Sequence, residues 1–506
     1  MSLSKMSIVL ALLLACAGVA RGGAPAPSAQ PQSPAPDAVT HHSIVLGGKT
    51  LAYTARAGTI VLRNADDAPI GDMFYVAYTL DGTDAQRPVT FLYNGGPGSS
   101  TMWLHMGSFG PVRVVTTNGT ATAPPPYRIV PNDDTLLDRS DLVFIDMPDT
   151  GFGRIYGAGK PKDFFGVDAD VDAFAQFVER YVSDFGRWNS PKFLYGESYG
   201  TTRSAALVDQ LQQNGIAING VVLQSSILNF GLDSLRNGDI GGNDNAFVFY
   251  LPTEAATAWY HHALPNAPSD LGALLPEVER FAEGEYADAL ARGARLPSAQ
   301  YADVVAKLQR YTGLSAQYIR NSNLRIRYSR FEAELLRERG EIVGRLDSRF
   351  TMQSLDRLAE SPDTDPTEAA ISGAFTAAVN GYVRGSLQYR TPLLYHSSAY
   401  EAIRASGGWD SKHRNNPATD VAPDLAEAMT YNPYLRIFSA NGYYDFATPY
   451  FATEFTLDHL GLGASLRANI TYGFYPSGHM MYLVPSALTQ LHADLERWYG
   501  ATLGGR

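Results

Sequence analysis

The sequence predicts an α/β fold in which helices flank a mostly parallel central sheet and a helical insertion separates the later strands. Three observations support this prediction. Short, almost continuously apolar runs recur along the chain, which is typical of strands buried on both faces of a parallel sheet. Segments with helical spacing of apolar residues lie between these runs, and this alternation indicates right-handed strand–helix–strand units. The strand pattern then fades between residues 231 and 430.

The composition is that of an ordinary globular protein that is large for a single core. The chain has 506 residues, of which 45% are hydrophobic and 18% are charged. A chain of this length is expected to form one large domain with an insertion, or two domains. The formal net charge of −11 argues against nucleic-acid binding, which requires a basic surface.

Residues 1–23 have the pattern of an export signal. Lys5 precedes the apolar run IVLALLLA at 8–15, which is too short to span a bilayer, so we expect a signal peptide and no membrane span in the mature chain. Cys16 is the only cysteine and lies within this segment, so we expect an exported, periplasmic or secreted protein without disulfides. The alternative is a lipoprotein acylated at Cys16, but Leu14 fits such a cleavage site poorly.

The predicted elements follow a proline- and alanine-rich linker over residues 24–40. Alternating polar and apolar residues from His42 to Leu80 predict antiparallel strands. We divide the remainder into a first part of the core at 41–230, the insertion at 231–430 and a second part of the core at 431–506. The expected buried strands are VTFLYN (89–94), DLVFID (141–146), KFLYG (192–196), INGVVLQ (218–224), LRIFSA (435–440) and ANITYGF (468–474), with helices expected at 167–186 and 201–215.

The stretch FLYGESYG places a serine where the third of these strands ends. Gly196-x-Ser198-x-Gly200 matches the nucleophile elbow, a tight strand-to-helix turn of the α/β-hydrolase fold. Glycines flank the serine because a side chain there would collide with neighbouring backbone. Since a buried strand precedes the motif and a helix follows it, we interpret Ser198 as a catalytic nucleophile rather than an ordinary loop serine, and we predict the α/β-hydrolase fold.

A serine hydroxyl is a weak nucleophile, so a histidine and an orienting carboxylate are required elsewhere. In this fold they follow the serine along the chain, acid first, in loops after later strands. Asp445 follows the fifth predicted strand and His479 follows the sixth. Asp458 is a rival acid, but it lies in a predicted helix. The pairs His41-His42 and His261-His262 have no third ligand at a recognisable spacing, so no metal site is predicted.

Backbone N–H groups at two places are candidates for an oxyanion hole. One is the N–H of Tyr199, directly after the serine, and the other is expected in a loop after an early strand. NGGPGSS (94–100) follows the first buried strand. A generic glycine-rich turn remains an alternative interpretation, whereas a phosphate-binding loop does not fit because no G-K-S or G-K-T follows.

NGGPGSS, FIDMPDTGFG, YGESYG, GYYDFATP and SGHM, in this order, resemble the serine carboxypeptidases over roughly residues 85–495. The resemblance is to a bacterial-type member without disulfides. It implies release of one residue at a time from the free carboxyl end of a peptide, through an acyl-enzyme and without metal or cofactor. It implies that Ser198 is the nucleophile, His479 the general base and acid, and Asp445 the orienting carboxylate. The N–H groups of Gly96 and Tyr199 then form the oxyanion hole.

The resemblance also implies that Asn94, Gly95 and Glu197 bind the terminal carboxylate of the substrate, and that Met480 lines the pocket for the departing residue. A glutamate binds a carboxylate only when one of the two is protonated. The family uses a second glutamate, whose position falls at Ser108 in this sequence. We therefore expect a weaker dependence on low pH, or a changed recognition of the substrate terminus.

Two other functions fit the same motifs. An acyltransferase or esterase would use the same triad, although the retained Asn94, Gly95 and Glu197 favour a peptide carboxylate. A non-catalytic binding protein would keep the fold alone, and the complete set of triad residues argues against it.

Overall fold

The structure is a computed structural model that describes residues 34–84, 86–233 and 243–504. The predicted signal peptide, the first ten residues of the linker and Cys16 lie outside the described residues. Among the helices of the described part, none is long and apolar enough to cross a membrane.

The strands of the described residues are β1 (Ala38–Leu46), β2 (Lys49–Arg63), β3 (Pro69–Leu80), β4 (Val89–Tyr93), β5 (Val112–Val114), β6 (Ile129–Pro131), β7 (Asp141–Ile145), β8 (Lys192–Glu197), β9 (Gly220–Gln224), β10 (Glu341–Val343), β11 (Thr351–Gln353), β12 (Arg436–Gly442) and β13 (Ile470–Tyr475). The α-helices are α1 (Met102–Gly107), α2 (Val167–Asp184), α3 (Tyr199–Gln213), α4 (Phe230–Asp233), α5 (Asn245–Tyr260), α6 (Leu271–Phe281), α7 (Ala287–Arg292), α8 (Ser298–Thr312), α9 (Ala316–Asn321), α10 (Tyr328–Glu334), α11 (Pro366–Gly381), α12 (Tyr400–Ala405), α13 (Ala422–Tyr431), α14 (Tyr450–Asp458), α15 (Ala464–Arg467) and α16 (Pro485–Gly504).

Nine strands form one sheet in the order β1-β2-β3-β7-β4-β8-β9-β12-β13. The first three are antiparallel, β3 is antiparallel to β7, and the remaining neighbours are parallel. The six predicted buried strands correspond to β4, β7, β8, β9, β12 and β13. The predicted α/β-hydrolase fold with a mostly parallel sheet is confirmed.

The inner parallel strands are buried on both faces because helices cover both faces, whereas β13, which was predicted to be buried, is the edge strand and is half-exposed. In β4, Phe91 packs into a core shared with α2 and α3, whereas Leu92 packs into a core shared with α11 and α16. Each such buried side chain contributes about 2 kcal/mol of hydrophobic free energy. The sheet therefore holds the carboxyl ends of its strands in fixed relative positions, and the functional side chains follow those ends.

The helices between β9 and β12 form an insertion with the short antiparallel ribbon β10–β11. Helices α5, α6 and α8 bury a hydrophobic core of their own, and Tyr444, Phe446 and Tyr450 from the chain after β12 pack into it. The core of the insertion thus reaches the loop that carries Asp445. The domain boundaries at residues 230 and 430 stay a prediction.

Candidate active site

Ser198 occupies the turn between β8 and α3. Its backbone has φ 62° and ψ −131°, a strained conformation for a residue other than glycine. The turn is so tight that a Cβ added at Gly196 would lie 2.1 Å from the carbonyl oxygen of Gly200. The predicted elbow is therefore formed, with Ser198 at the carboxyl end of β8.

His479 and Asp445 form a buried pair after the ends of β13 and β12. The His479 Nδ1 lies 2.8 Å from the Asp445 Oδ2. Burial by itself would lower the pKa of His479, but the Asp445 carboxylate outweighs burial and raises that pKa above its ordinary value. Because a carboxylate accepts, Nδ1 carries the proton and Nε2 is left as the basic nitrogen. The rival acid, Asp458, is exposed on α14.

Asp445 is itself fully buried and held by a turn. Its Oδ1 accepts from the N–H groups of Ala447 at 2.8 Å and Thr448 at 3.1 Å, and its Oδ2 accepts from the Thr448 hydroxyl at 2.7 Å. The carboxylate is thus fixed in one orientation, with one oxygen directed to the His479 imidazole.

The main chain of His479 is also held on both sides. Its N–H donates to the Leu346 carbonyl oxygen at 2.7 Å, and its carbonyl oxygen accepts from the Ser225 hydroxyl at 2.8 Å and from the Gln224 amide at 3.2 Å. Leu346 belongs to the insertion and Gln224 ends β9. His479 is therefore positioned by contacts to the insertion and to the central sheet.

The glycine-rich loop after β4 lies against the N-terminus of α3. A Cβ added at Gly95 would lie 2.4 Å from the backbone nitrogen of Tyr199, which shows how closely the two segments approach. Gly96 lines the same cavity as Ser198. The loop and the N-terminus of α3 thus bring backbone N–H groups close together. The helix dipole favours negative charge at that point. The assignment of Gly96 and Tyr199 as the oxyanion hole stays a prediction.

Glu197 is a buried carboxyl group with three hydrogen-bond donors. Its Oε1 accepts from the Asn94 amide at 2.8 Å and from the Tyr482 hydroxyl at 3.2 Å, and its Oε2 accepts from the Gln224 amide at 2.9 Å. Burial raises the pKa of Glu197 to about 7, although His479 and the Tyr482 and Asn94 donors oppose the shift. Below neutral pH this carboxyl group therefore carries a proton.

One cavity of about 450 Å³ brings most of the predicted site residues together. Asp445 lies behind His479, and Ser108 lies at the end of α1, where its buried hydroxyl donates to the Leu104 carbonyl oxygen at 2.6 Å. The predicted residues that line the cavity are Asn94, Gly95, Gly96, Glu197, Ser198, His479 and Met480.

Other residues of this site were not predicted from the sequence. Tyr482 and Gln224 donate to Glu197, whereas Arg345 and Glu368 line the cavity from the insertion. Trp103 on α1 also lines it. Only Tyr482 could have been found from the sequence, because it lies three residues after the predicted His479.

A buried ion pair contacts the start of the glycine-rich loop that follows β4. Arg203 on α3 is fully buried and binds Asp170 on α2 through two hydrogen bonds of 2.7 and 3.0 Å. The same guanidinium donates to the Asn94 carbonyl oxygen at 2.8 Å and lies 4.0 Å from the Phe174 ring centroid. The position of Asn94 therefore depends on this arginine.

We expect Asp170→Asn to lower the free energy of unfolding by about 3 kcal/mol, because it leaves the charge of Arg203 buried without a counter-ion. Urea denaturation followed by circular dichroism measures this difference. Asp172→Asn, on the exposed face of the same helix, is the control and is expected to change the stability by less than about 0.5 kcal/mol. Equal effects of the two substitutions would contradict a structural role for the ion pair.

The histidine pairs do not line the cavity. His261 Nε2 hydrogen-bonds the Ser348 carbonyl oxygen at 2.6 Å, and His41 Nδ1 lies 3.1 Å from the Thr54 hydroxyl. Within the described ranges, no group of three or more His, Cys, Asp or Glu side chains could hold a metal ion.

Comparison with known proteins gives matches to part of this chain. Residues 52–243 match the family model described as serine carboxypeptidase, a span that contains Ser198 but neither Asp445 nor His479. A pheromone-processing carboxypeptidase KEX1 of Yarrowia lipolytica is 26% identical over 164 residues, which are 32% of this chain and 24% of that protein. KEX1 of Saccharomyces cerevisiae is 31% identical over 156 residues, 28% of this chain and 20% of that protein. The chain thus spans a quarter or less of the length of these curated relatives.

Among solved structures, the chain is similar to KEX1(ΔP), a prohormone-processing carboxypeptidase from Saccharomyces cerevisiae. The two share 16% identity with a TM-score of 0.49, over 88% of this chain and 91% of that chain.

Proposed function

We propose that the chain, whose residues 52–243 match the serine carboxypeptidase family model, removes C-terminal amino acids from peptides by serine catalysis. The observation that carries this proposal is the cavity itself. It combines an elbow serine and a histidine–aspartate pair with a buried carboxyl group that is protonated below neutral pH. The serine and the histidine–aspartate pair suit acyl transfer, and the protonated carboxyl group suits recognition of a free carboxylate.

In the proposed reaction, the Ser198 Oγ attacks the carbonyl carbon of the last peptide bond while His479 Nε2 takes its proton. Asp445 stabilises the resulting imidazolium. The N–H groups of Gly96 and Tyr199 bind the oxyanion of the tetrahedral intermediate. His479 then protonates the leaving amine, the C–N bond breaks, and water hydrolyses the acyl-enzyme with the same histidine as base.

The proposed exopeptidase specificity depends on the residues beside the nucleophile. Asn94, Gly95 and protonated Glu197 bind the terminal carboxylate, because a neutral carboxyl group donates a hydrogen bond where an ionised one repels. Met480 lines the subsite of the departing residue. The proposed substrates are peptides with a free C-terminus.

The test is mass spectrometry of a defined peptide mixture after incubation with the enzyme or with Ser198→Ala. Stepwise loss of C-terminal residues with the wild type alone would support the proposal. A second incubation with an ester and an acceptor separates the alternative: transfer or ester cleavage without amino-acid release would instead identify an acyltransferase or esterase.

We expect kcat/KM for a blocked dipeptide with a free carboxylate to fall above about pH 7, where Glu197 ionises and repels the substrate. Activity on the acid side is limited by protonation of His479, whose pKa is raised. Glu197→Gln cannot ionise, so its alkaline decline should disappear. The measurement is kcat/KM between pH 5 and 9.

The control for this profile is Glu454→Gln, because burial raises the pKa of Glu454 to about 8 but its side chain does not line the cavity. Glu454→Gln should keep the alkaline decline of the wild type. An unchanged decline in Glu197→Gln would refute the role assigned to Glu197.

We also propose that the protein is exported to the periplasm or the medium. The basis is the apolar segment of residues 8–15, with cleavage after it favoured over acylation of Cys16. Mass analysis of the protein from a membrane fraction and from the soluble exported fraction distinguishes the two forms.

A further inference from the structure

One wall of the catalytic cavity is built by a loop of the insertion, residues 344–348. The Arg345 carbonyl oxygen accepts from the N–H of Phe446, the residue after Asp445, at 3.0 Å. The Leu346 N–H donates to the Asp365 carboxylate at the start of α11 at 2.9 Å. These bonds hold the loop between the catalytic aspartate and α11, so that Arg345 and Leu346 line the cavity.

The Arg345 guanidinium is a partly buried cation beside the catalytic residues. In residues 34–84, 86–233 and 243–504, no side chain hydrogen-bonds this guanidinium or forms an ion pair with it within 4 Å; the bond from Arg345 to Asp365 is made by the backbone N–H. A partly buried cation without a direct partner is unusual, because longer-range charges compensate its removal from water less than a hydrogen-bonded partner does. Its five N–H donors suit two-point binding of a carboxylate.

The charges around Arg345 come from two elements of the insertion and from the core. Glu332 on α10, Asp365 and Glu368 at the start of α11, and His479 all interact with it electrostatically. Asp365 is already engaged by the loop N–H groups. Burial raises the pKa of Glu332 well above its ordinary value, which weakens this carboxyl group as a counter-ion for the arginine.

The resemblance to the serine carboxypeptidases implies two glutamates for the terminal carboxylate of the substrate, and only Glu197 is present at this site. Ser108, at the position of the second glutamate of the family, is turned into a hydrogen bond with the Leu104 carbonyl oxygen and does not line the cavity. Glu197 alone offers a proton only below about pH 7. An arginine would bind a carboxylate at any physiological pH.

We propose that Arg345 binds the terminal carboxylate of the peptide substrate, together with Asn94 and Gly95. This inference rests on the proposed carboxypeptidase function and names the residue that replaces the missing glutamate. Glu368, exposed and lining the same cavity, competes with the substrate for the guanidinium.

The test compares a blocked dipeptide of two neutral residues with its C-terminal amide, which lacks the negative charge. Arg345→Gln is expected to reduce the preference for the acid over the amide by about 10- to 100-fold, mainly through a higher KM, because a charge-assisted hydrogen bond is lost. Arg345→Lys should restore part of the preference. Glu368→Gln should lower the KM of the acid, an effect in the opposite direction that damage to the fold does not produce.

Arg404→Gln is the matched control, since this arginine of α12 is exposed and does not line the cavity. It should keep the acid-to-amide preference of the wild type. Equal losses on acid and amide in Arg345→Gln would assign Arg345 to loop structure, and a loss confined to peptides with an acidic side chain would assign it to side-chain recognition. Either outcome overturns the proposal.

Failure of the parent proposal gives a different result. If wild-type enzyme releases no residue from either dipeptide, the carboxypeptidase function itself is wrong. If the wild type cleaves the acid and Arg345→Gln keeps its preference, only the role of Arg345 is wrong.

Discussion

Ser198→Ala is expected to lower kcat for release of a C-terminal residue by at least about 10³-fold, since the proposed covalent step loses its nucleophile. The residual rate is that of a cavity that still binds and polarises the peptide bond. The variant should fold normally, because alanine has the same Cβ in the strained turn and only one oxygen is removed.

Release of free amino acid under single-turnover conditions measures this loss, and labelling by a fluorophosphonate reports the nucleophile directly. Ser183→Ala, an exposed serine near the end of α2, is the control and should behave as the wild type. Retained labelling in Ser198→Ala would show that another residue is the nucleophile.

Asp445→Asn should lower kcat by about 10⁴-fold, the size of loss associated with the wrong histidine tautomer. The reason lies in the hydrogen bonds of the buried carboxylate. Its Oδ1 accepts from two backbone N–H groups, so an asparagine has to place its oxygen there and turn its NH₂ group toward the Nδ1 of His479. The imidazole then carries its proton on Nε2 and cannot take one from the serine.

Single-turnover kinetics and the rate of fluorophosphonate labelling should both show the loss in Asp445→Asn. Asp458→Asn removes the rival acid from the exposed surface of α14 and should leave the rates as they are. A large loss in Asp458→Asn with an active Asp445→Asn would transfer the role of the orienting acid to residue 458.

The sheet could be predicted because each buried strand is a short apolar run bounded by turn residues. The elbow could be predicted because the tight turn demands glycine beside Ser198, and the position of His479 follows from the strand before it. Each of these features depends on residues that are close together in the sequence.

The wall formed by Arg345 and Glu368 had no local signal. Arg345 reaches the cavity through hydrogen bonds of its loop to Phe446 and Asp365, which are distant in sequence. The Gln224 amide reaches Glu197 for a similar reason, since β9 is a neighbour of β8 only in the sheet. The ribbon β10–β11 has three residues in each strand, too few for a recognisable period.

The hydrogen bond between the His479 N–H and the Leu346 carbonyl oxygen makes the position of the histidine depend on a loop of the insertion. His479, the proposed proton-transferring residue, is held through its backbone N–H by a loop outside the sheet, so a shift of this loop moves the imidazole. Loosening of this loop is therefore expected to misalign the imidazole and to reduce activity.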